Sequence, residues 1–116
     1  MSKDQILRVK TYAPCIEHNN DVLFNNLMEA TFHDDPLKQM TKITDEAMQL
    51  DREDLKKVLN HLYELLKLDV DDSIEINGFK FTKRLHDDDR IIELIKDFKW
   101  TLSYYKGHED FQYVQI

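Results

Sequence analysis

The sequence predicts one α+β domain, residues 1–116, in which a small, mainly antiparallel sheet packs against three to four α-helices. A β-hairpin is indicated over residues 73–84, where Asn77-Gly78 separates two short runs with alternating apolar residues. Both central residues of a two-residue type I′ turn need positive φ angles, which asparagine and glycine accept. Several longer segments repeat apolar residues at helical spacing. A chain of 116 residues with two glycines and two prolines fits a single ordered domain.

Before the hairpin, residues 5–12 are predicted to form a strand, with Leu7, Val9 and Thr11 on one side. The strand ends at Ala13-Pro14, since a residue before proline avoids the helical region. A helix that begins at Asp4 is the alternative for this segment.

Three helices are expected between this strand and the hairpin. The first is capped by Asn20 or Asp21 and runs to about Phe32. The second begins at Asp35-Pro36, because proline is tolerated in the first helical turn, and its apolar residues keep helical spacing as far as Ala47. The third follows Asp51, and its apolar face contains Leu55, Val58, Leu59, Leu62, Leu65 and Leu66.

The hairpin should turn its apolar side chains, Ile74, Ile76, Phe79 and Phe81, towards the core. Glu75 and Lys80 then lie across from each other on the opposite face. An isolated two-stranded hairpin is marginal in water. We therefore expect the sheet to be centred on this hairpin, with residues 111–115 as a third strand and 5–12 as a fourth.

The last helix is capped by Asp87 or Asp88 and ends near Gly107, which suits a left-handed cap. Ile92, Leu94 and Tyr104 lie off its inner stripe, so the helix is either buried on two sides or bound by a partner. The inner stripe contains Ile91, Ile95, Phe98, Leu102 and Tyr105.

Charge favours a protein partner over nucleic acid. The net charge is −7, and residues 17–54 contribute most of it, with ten acidic residues against three basic ones. Nucleic-acid binding draws on neutralised phosphates, so a basic protein surface is the better electrostatic match. Trp100 and Tyr104 are further candidates, because Trp and Tyr are enriched in interface hot spots. The candidate protein-binding acids are Asp34, Asp35, Asp45, Glu46, Asp51, Glu53 and Asp54.

No catalytic, metal or cofactor site is predicted. His33, His86 and His108 each precede carboxylates, but adjacent residues converge poorly on one ion, and helix capping already explains the aspartates. Cys15 and His18 lack a third catalytic partner. Phosphate-binding loops need several glycines, and the only two here have structural roles. We therefore expect no enzyme activity.

A winged-helix DNA-binding regulator is the alternative. The helix after Asp51 would read bases, the hairpin would be the wing, and the last helix would be a dimerisation arm. The outer face of the helix after Asp51 lacks an arginine, so few of its side chains are suited to base recognition. A phage assembly or virion component is a second alternative. The residues of the DNA-binding interpretation are Lys56, Lys57, Asn60, Lys80, Lys83 and Arg84.

The resulting expectation is a small acidic binding protein that regulates or inhibits another protein, and a DNA-mimicking inhibitor from a phage or mobile element fits this pattern. A homodimer is compatible with it. Cys15 is the only cysteine, the first residues lack a signal-type apolar run, and no apolar stretch is long enough to span a bilayer. These features predict a cytoplasmic protein without a membrane segment.

Overall fold

The computed structural model describes residues 4–9, 14–19, 22–33 and 47–115. This part of the chain has the α+β fold that the sequence predicts. A short 3₁₀ turn, Lys83–Leu85, joins the hairpin to the last helix. The strands and helices are β1 (Asp4–Val9), β2 (Pro14–Asn19), α1 (Val22–Thr31), β3 (Ala47–Leu50), α2 (Arg52–Lys67), β4 (Ser73–Ile76), β5 (Phe79–Thr82), α3 (Asp88–Tyr104) and β6 (Phe111–Gln115).

The strands form two antiparallel sheets, and the hairpin is not part of the larger one. The larger sheet has the order β2-β1-β6-β3, and β4 and β5 form the second. The predicted strands over 5–12 and 111–115 are confirmed, but they pair with each other, with Leu7 opposite Tyr113. The expectation that they extend the hairpin was wrong. Ile76 and Phe81 of the hairpin instead enter a core shared with the helices.

Two strands were missed by the sequence pattern. Residues 14–19 form β2, so Pro14 opens a strand and Cys15 lies within it rather than at a helix start. Ala47, expected at the end of a helix, is the first residue of β3. The remainder of that helix, and the caps Asn20 and Asp21, lie outside the described residues.

Helix α1 contacts the larger sheet through an aromatic residue. Phe24 of α1 packs against Tyr113 with ring centroids 5.2 Å apart and against Phe98 of α3 at 6.0 Å. The Tyr113 hydroxyl donates a hydrogen bond to Asn25 Oδ1 at 3.0 Å. Helix α1 therefore joins the sheet to α3 through one aromatic cluster.

The two long helices follow their predicted faces. Asp51 caps α2, and its side chain and that of Asp54 each accept the other's backbone N–H at 2.9 Å. Asp87 caps α3 by accepting the N–H of Asp89. Leu94, off the predicted stripe, is also buried, so α3 is covered on more than one side. The buried residues are Asp54, Leu55, Val58, Leu62 and Leu65 of α2, and Ile91, Leu94, Ile95, Phe98 and Thr101 of α3.

The hairpin turn has the predicted geometry. Asn77 and Gly78 have φ angles of 49° and 88°. Glu75 lies opposite Lys80 in the register. Ile76 and Phe81 are buried, and Ile74 and Phe79 pack partly buried against the core.

Candidate docking surfaces

The carbonyl end of each α-helix is held by a side chain from a distant part of the chain. For α1 this side chain is Asn77, at the tip of the hairpin. Its Nδ2 donates to the carbonyl oxygens of Ala30 at 2.8 Å and Thr31 at 3.3 Å. The final carbonyls of a helix lack partners within it, so this contact satisfies two of them. It also fixes the hairpin tip against α1.

Lys83 holds the end of α2. Its ammonium donates to the carbonyl oxygens of Leu65, Leu66 and Leu68 at 3.1, 2.8 and 3.3 Å. It also pairs with Asp88 at the start of α3, at 2.8 Å. The side chain is only 8% exposed. A cation is favourable at a helix C-terminus, and this one links α2 to α3.

Arg52 holds the end of α3 in the same way. Its guanidinium donates to the carbonyl oxygens of Leu102 at 2.6 Å and Tyr105 at 2.9 Å. Since Arg52 begins α2 and Lys83 lies at its other end, the two helices run antiparallel and are clamped at both ends. The C-terminal end of α3, where the exposed aromatic residues lie, is therefore fixed in place.

An aromatic cluster, defined as Trp100, Tyr104, Tyr105 and His108, covers that end of α3. Trp100 and Tyr104 are stacked, with ring centroids 5.0 Å apart and an interplanar angle of 14°. Tyr105 meets both rings edge-on, at 6.0 and 4.9 Å, and His108 packs on Tyr105 at 5.5 Å. Trp100 is 48% exposed and Tyr104 is 68% exposed. Two large rings thus face solvent on an ordered support.

Both signs of charge lie near the cluster. Ile92, Lys96, Trp100 and Tyr104 are spaced four residues apart and lie on the outward side of α3, all exposed. The surface around the two predicted aromatic residues is therefore apolar at its centre and of mixed charge around it. The other exposed charged residues nearby in sequence are Glu93, Lys99, Lys106, Glu109 and Asp110.

The structure describes only three of the seven acidic residues of the predicted protein-binding surface. Asp34, Asp35, Asp45 and Glu46 lie outside the described residues. Asp54 is 4% exposed, and both it and Asp51 are engaged in the capping box, so Asp54 contributes no outward charge. Glu53 is exposed and pairs with Lys56 at 3.1 Å.

Two neighbouring loops instead form an acidic surface that the sequence analysis missed. An ion pair between Arg84 and Asp71, and a 3.0 Å hydrogen bond from the Lys83 amide to Asp72 O, join the loop after α2 to the segment before α3. Val70 and Leu85 are 60% and 77% exposed beside these carboxylates. A depression of about 430 Å³ lies between the loops. The acidic loop surface contains Asp69, Asp71, Asp72, Asp87, Asp88 and Asp89.

The residues of the DNA-binding alternative do not form one exposed cationic surface. Lys83 is buried, which corrects the expectation that it lies on a wing, and Arg84 is paired with Asp71. Lys56 and Lys57 pair with acids of their own helix, at 3.1 and 3.8 Å. Asn60 and Lys80 are exposed.

The histidines of the His-Asp motifs pack against separate aromatic rings. His33 meets Phe79 at 5.1 Å and His86 meets Phe81 at 6.1 Å, whereas His108 lies on Tyr105. Within residues 4–9, 14–19, 22–33 and 47–115, no three His, Cys, Asp or Glu side chains gather where they could hold a metal ion.

His61, which the sequence analysis did not single out, connects α2 to α1. Its Nδ1 and Thr31 Oγ1 are hydrogen-bonded at 3.0 Å. Burial lowers the pKa of His61, and the nearby Glu64 carboxylate opposes this shift. The shift arises because loss of hydration disfavours the charged imidazolium.

Comparisons with known proteins give no relatives: no family model, curated protein or solved structure matches this chain. Among the described helices, none has the length and apolar character needed to cross a membrane.

Proposed function

We propose that the chain is a non-enzymatic binding protein that docks on another protein through the outward side of α3. The observation that carries this proposal is the stacked pair of Trp100 and Tyr104, which are 48% and 68% exposed. Exposed Trp and Tyr side chains dominate many interface hot spots, because each buries a large area when bound. A regulator or inhibitor needs such a surface and no catalytic group.

The order of this surface supports the proposal. Trp100 and Tyr104 rest on each other and on the edge of Tyr105. Arg52 fixes the backbone beneath them through the carbonyls of Leu102 and Tyr105. Side chains that are already ordered lose little conformational freedom on binding.

The shape of the surface narrows the kind of partner more than its charge does. Exposed lysines and exposed carboxylates both lie near the aromatic pair. The matching surface is an apolar pocket that accepts two stacked rings, with polar groups of both charges at its rim.

The acidic loop surface favours a second candidate function, an acidic inhibitor of a basic protein in the manner of a DNA mimic. Six aspartates lie beside two exposed apolar side chains, Val70 and Leu85. Two of the aspartates, Asp71 and Asp88, are paired with Arg84 and Lys83, and the other four supply negative charge. Exposed charge pairs weaken as salt rises, so this mode is salt-sensitive.

The alternatives gain less support. A winged-helix regulator needs a wing that reaches the DNA, whereas the tip of this hairpin is bound to α1 through Asn77. A virion component would also bind through an exposed aromatic surface. The identity of the captured partner separates that role from a regulator.

Site-specific photo-crosslinking in a lysate of the cells that naturally contain the protein tests the proposal. Benzoylphenylalanine would replace Ser103, which is exposed beside the aromatic pair, or Asn60, which is exposed on α2 as the matched control. We expect a partner adduct from position 103 only, absent in Trp100→Ala and still formed when irradiation is carried out at about 1 M salt. Equal adducts from both positions, or none from position 103, would contradict the proposal.

A further inference from the structure

The outer edge of β5 has backbone groups in position to pair with another strand. Ile76 and Phe79 flank the two-residue turn, so they exchange hydrogen bonds, and the pairs alternate from there. Glu75 with Lys80 and Ser73 with Thr82 are therefore non-hydrogen-bonded pairs. The N–H and C=O groups of Lys80 and Thr82 point away from β4.

These groups have no neighbouring strand within the described part of the chain. The smaller sheet contains β4 and β5 alone. Among the described residues, no backbone hydrogen bond joins Lys80 or Thr82 to another element, whereas the next amide, of Lys83, is bound to Asp72 O. The edge thus presents two donors and two acceptors at the spacing of an extended strand.

A groove runs beside this edge. Its volume is about 300 Å³, and it lies between β5, the first half of α1 and the segment after β5. Val22 and Leu85 at its sides are 62% and 77% exposed, so apolar surface there is left in water. The groove is lined by Val22, Asn26, Phe79, Lys80, Phe81, Thr82, Leu85 and His86.

The charge of the groove determines which incoming strands can pair with the edge of β5. Lys80 is the cationic side chain of the lining, and the lining contains no carboxylate. A lysine on an open edge discourages indiscriminate strand pairing. A strand that places an acidic side chain opposite Lys80 would be accepted.

We propose that β5 takes up an extended segment of a partner protein as a third strand. The segment would pair with the outward backbone of Lys80 and Thr82 and place alternate apolar side chains against Phe81 and Val22. An acidic side chain would face Lys80. The occupant is extended because only an extended backbone matches groups two residues apart along a strand edge. This site is separate from the aromatic cluster, so either can fail without the other.

A peptide display library of about twelve random residues, selected on the full chain, supplies the probes. We expect selected peptides to alternate apolar residues and to carry an acid. Their binding should slow hydrogen exchange of the Lys80 and Thr82 amides by about tenfold or more, because those amides become hydrogen-bonded. Lys80→Pro removes the central donor and should weaken binding about tenfold.

Glu75→Pro is the matched control. It places proline at the register partner of Lys80, on the opposite edge of the same hairpin, and should leave peptide affinity unchanged. Lys80→Ala separates charge from backbone pairing, and should cost about threefold or less. If Lys80→Pro does not fold, amide exchange in the unsubstituted protein still decides the question.

Four outcomes would overturn the inference. The library could yield no specific binder. Selected peptides could bind Lys80→Pro and Glu75→Pro equally, or leave the Lys80 and Thr82 amides unprotected. Finally, those amides could become protected as protein concentration rises without peptide, which would identify a second copy as the occupant.

Discussion

Helices α2 and α3 are similar in length, 16 and 17 residues, and pack against each other, yet their outward sides differ. The outward side of α2 is polar and carries ion pairs within the helix, such as Lys56 with Glu53. The outward side of α3 carries Ile92, Trp100 and Tyr104, all exposed. Each helix buries an apolar stripe in the core, and this burial stabilises the fold without the outward side chains. The exposed aromatic residues of α3 exceed what the core requires, and we attribute them to binding.

The same comparison separates the clamps from the docking surface. Arg52 and Lys83 join opposite ends of the helix pair, and both act through backbone carbonyls. They should determine stability, whereas Trp100 and Tyr104 should determine affinity. Four stability predictions test this division, in order of decreasing effect.

Lys83→Met should destabilise the protein most, by about 2–4 kcal/mol, because it removes a charged donor from several carbonyls and from Asp88. Methionine keeps most of the apolar stem. Urea unfolding measures the change. Lys80→Met, an exposed lysine on the same hairpin, is the control and should change stability by less than about 0.5 kcal/mol. Equal effects would mean that Lys83 is no clamp.

Arg52→Lys should cost about 1–2 kcal/mol, because lysine keeps the charge but loses the fork that reaches Leu102 O and Tyr105 O together. The end of α3 should loosen first. Faster hydrogen exchange of the Tyr105 amide would report this opening, with exchange at Leu62 in α2 as the internal reference. An equal acceleration of hydrogen exchange at Tyr105 in α3's cap and at Leu62 in α2 would argue against a local clamp.

Asn77→Gly should cost about 1 kcal/mol, since glycine accepts the positive φ but cannot donate to Ala30 O. Asn77→Ala should cost about 1 kcal/mol more, because alanine is strained at that φ. Thermal unfolding of both variants separates the hydrogen bond from the turn. If Asn77→Gly left the thermal unfolding temperature unchanged, the contact between the hairpin tip and α1 would contribute nothing to stability.

His61 should make the smallest contribution, visible only through pH. Its pKa is lowered in the folded state, so below pH about 6.5 the unfolded chain binds the proton first. Stability linked to His61 is therefore kept above that pH and lost as pH falls towards the folded pKa. Urea unfolding between pH about 7.5 and 5.5 should show a steeper loss than in His61→Gln. If the free energy of unfolding changed with pH equally in the unsubstituted protein and in His61→Gln, His61 would have no such role.

Local features of this fold follow from sequence, and long-range pairing does not. The Asn77-Gly78 turn, the start of α2 after Asp51 and the inner stripe of α3 depend on neighbouring residues and were predicted correctly. The order β2-β1-β6-β3 depends on which strand edges meet after collapse, which alternation along one strand does not specify. β3 is four residues long, too short to distinguish strand from helix by period.

The exposure of individual side chains was likewise predictable only where the local sequence determines it. Trp100 and Tyr104 were predicted because they lie off the helical stripe, and both are exposed. Lys83 was assigned to an exposed wing as one of a basic group with Lys80 and Arg84. The chain instead leaves the strand after Thr82 and enters a 3₁₀ turn that carries Lys83 under the end of α2. Val70 and Leu85 lie in loops, where single apolar residues have no period that could reveal them.

The most direct measurement is the dissociation constant of the crosslinked partner for Trp100→Ala, with Asn60→Ala on α2 as the matched control. Our account predicts that Trp100→Ala weakens binding at least about tenfold, as loss of a hot-spot aromatic does, while the urea midpoint of the variant shows that it remains folded. Asn60→Ala should bind as tightly as the unsubstituted protein. A folded Trp100→Ala variant with unchanged affinity would contradict the assignment of α3 as the docking surface.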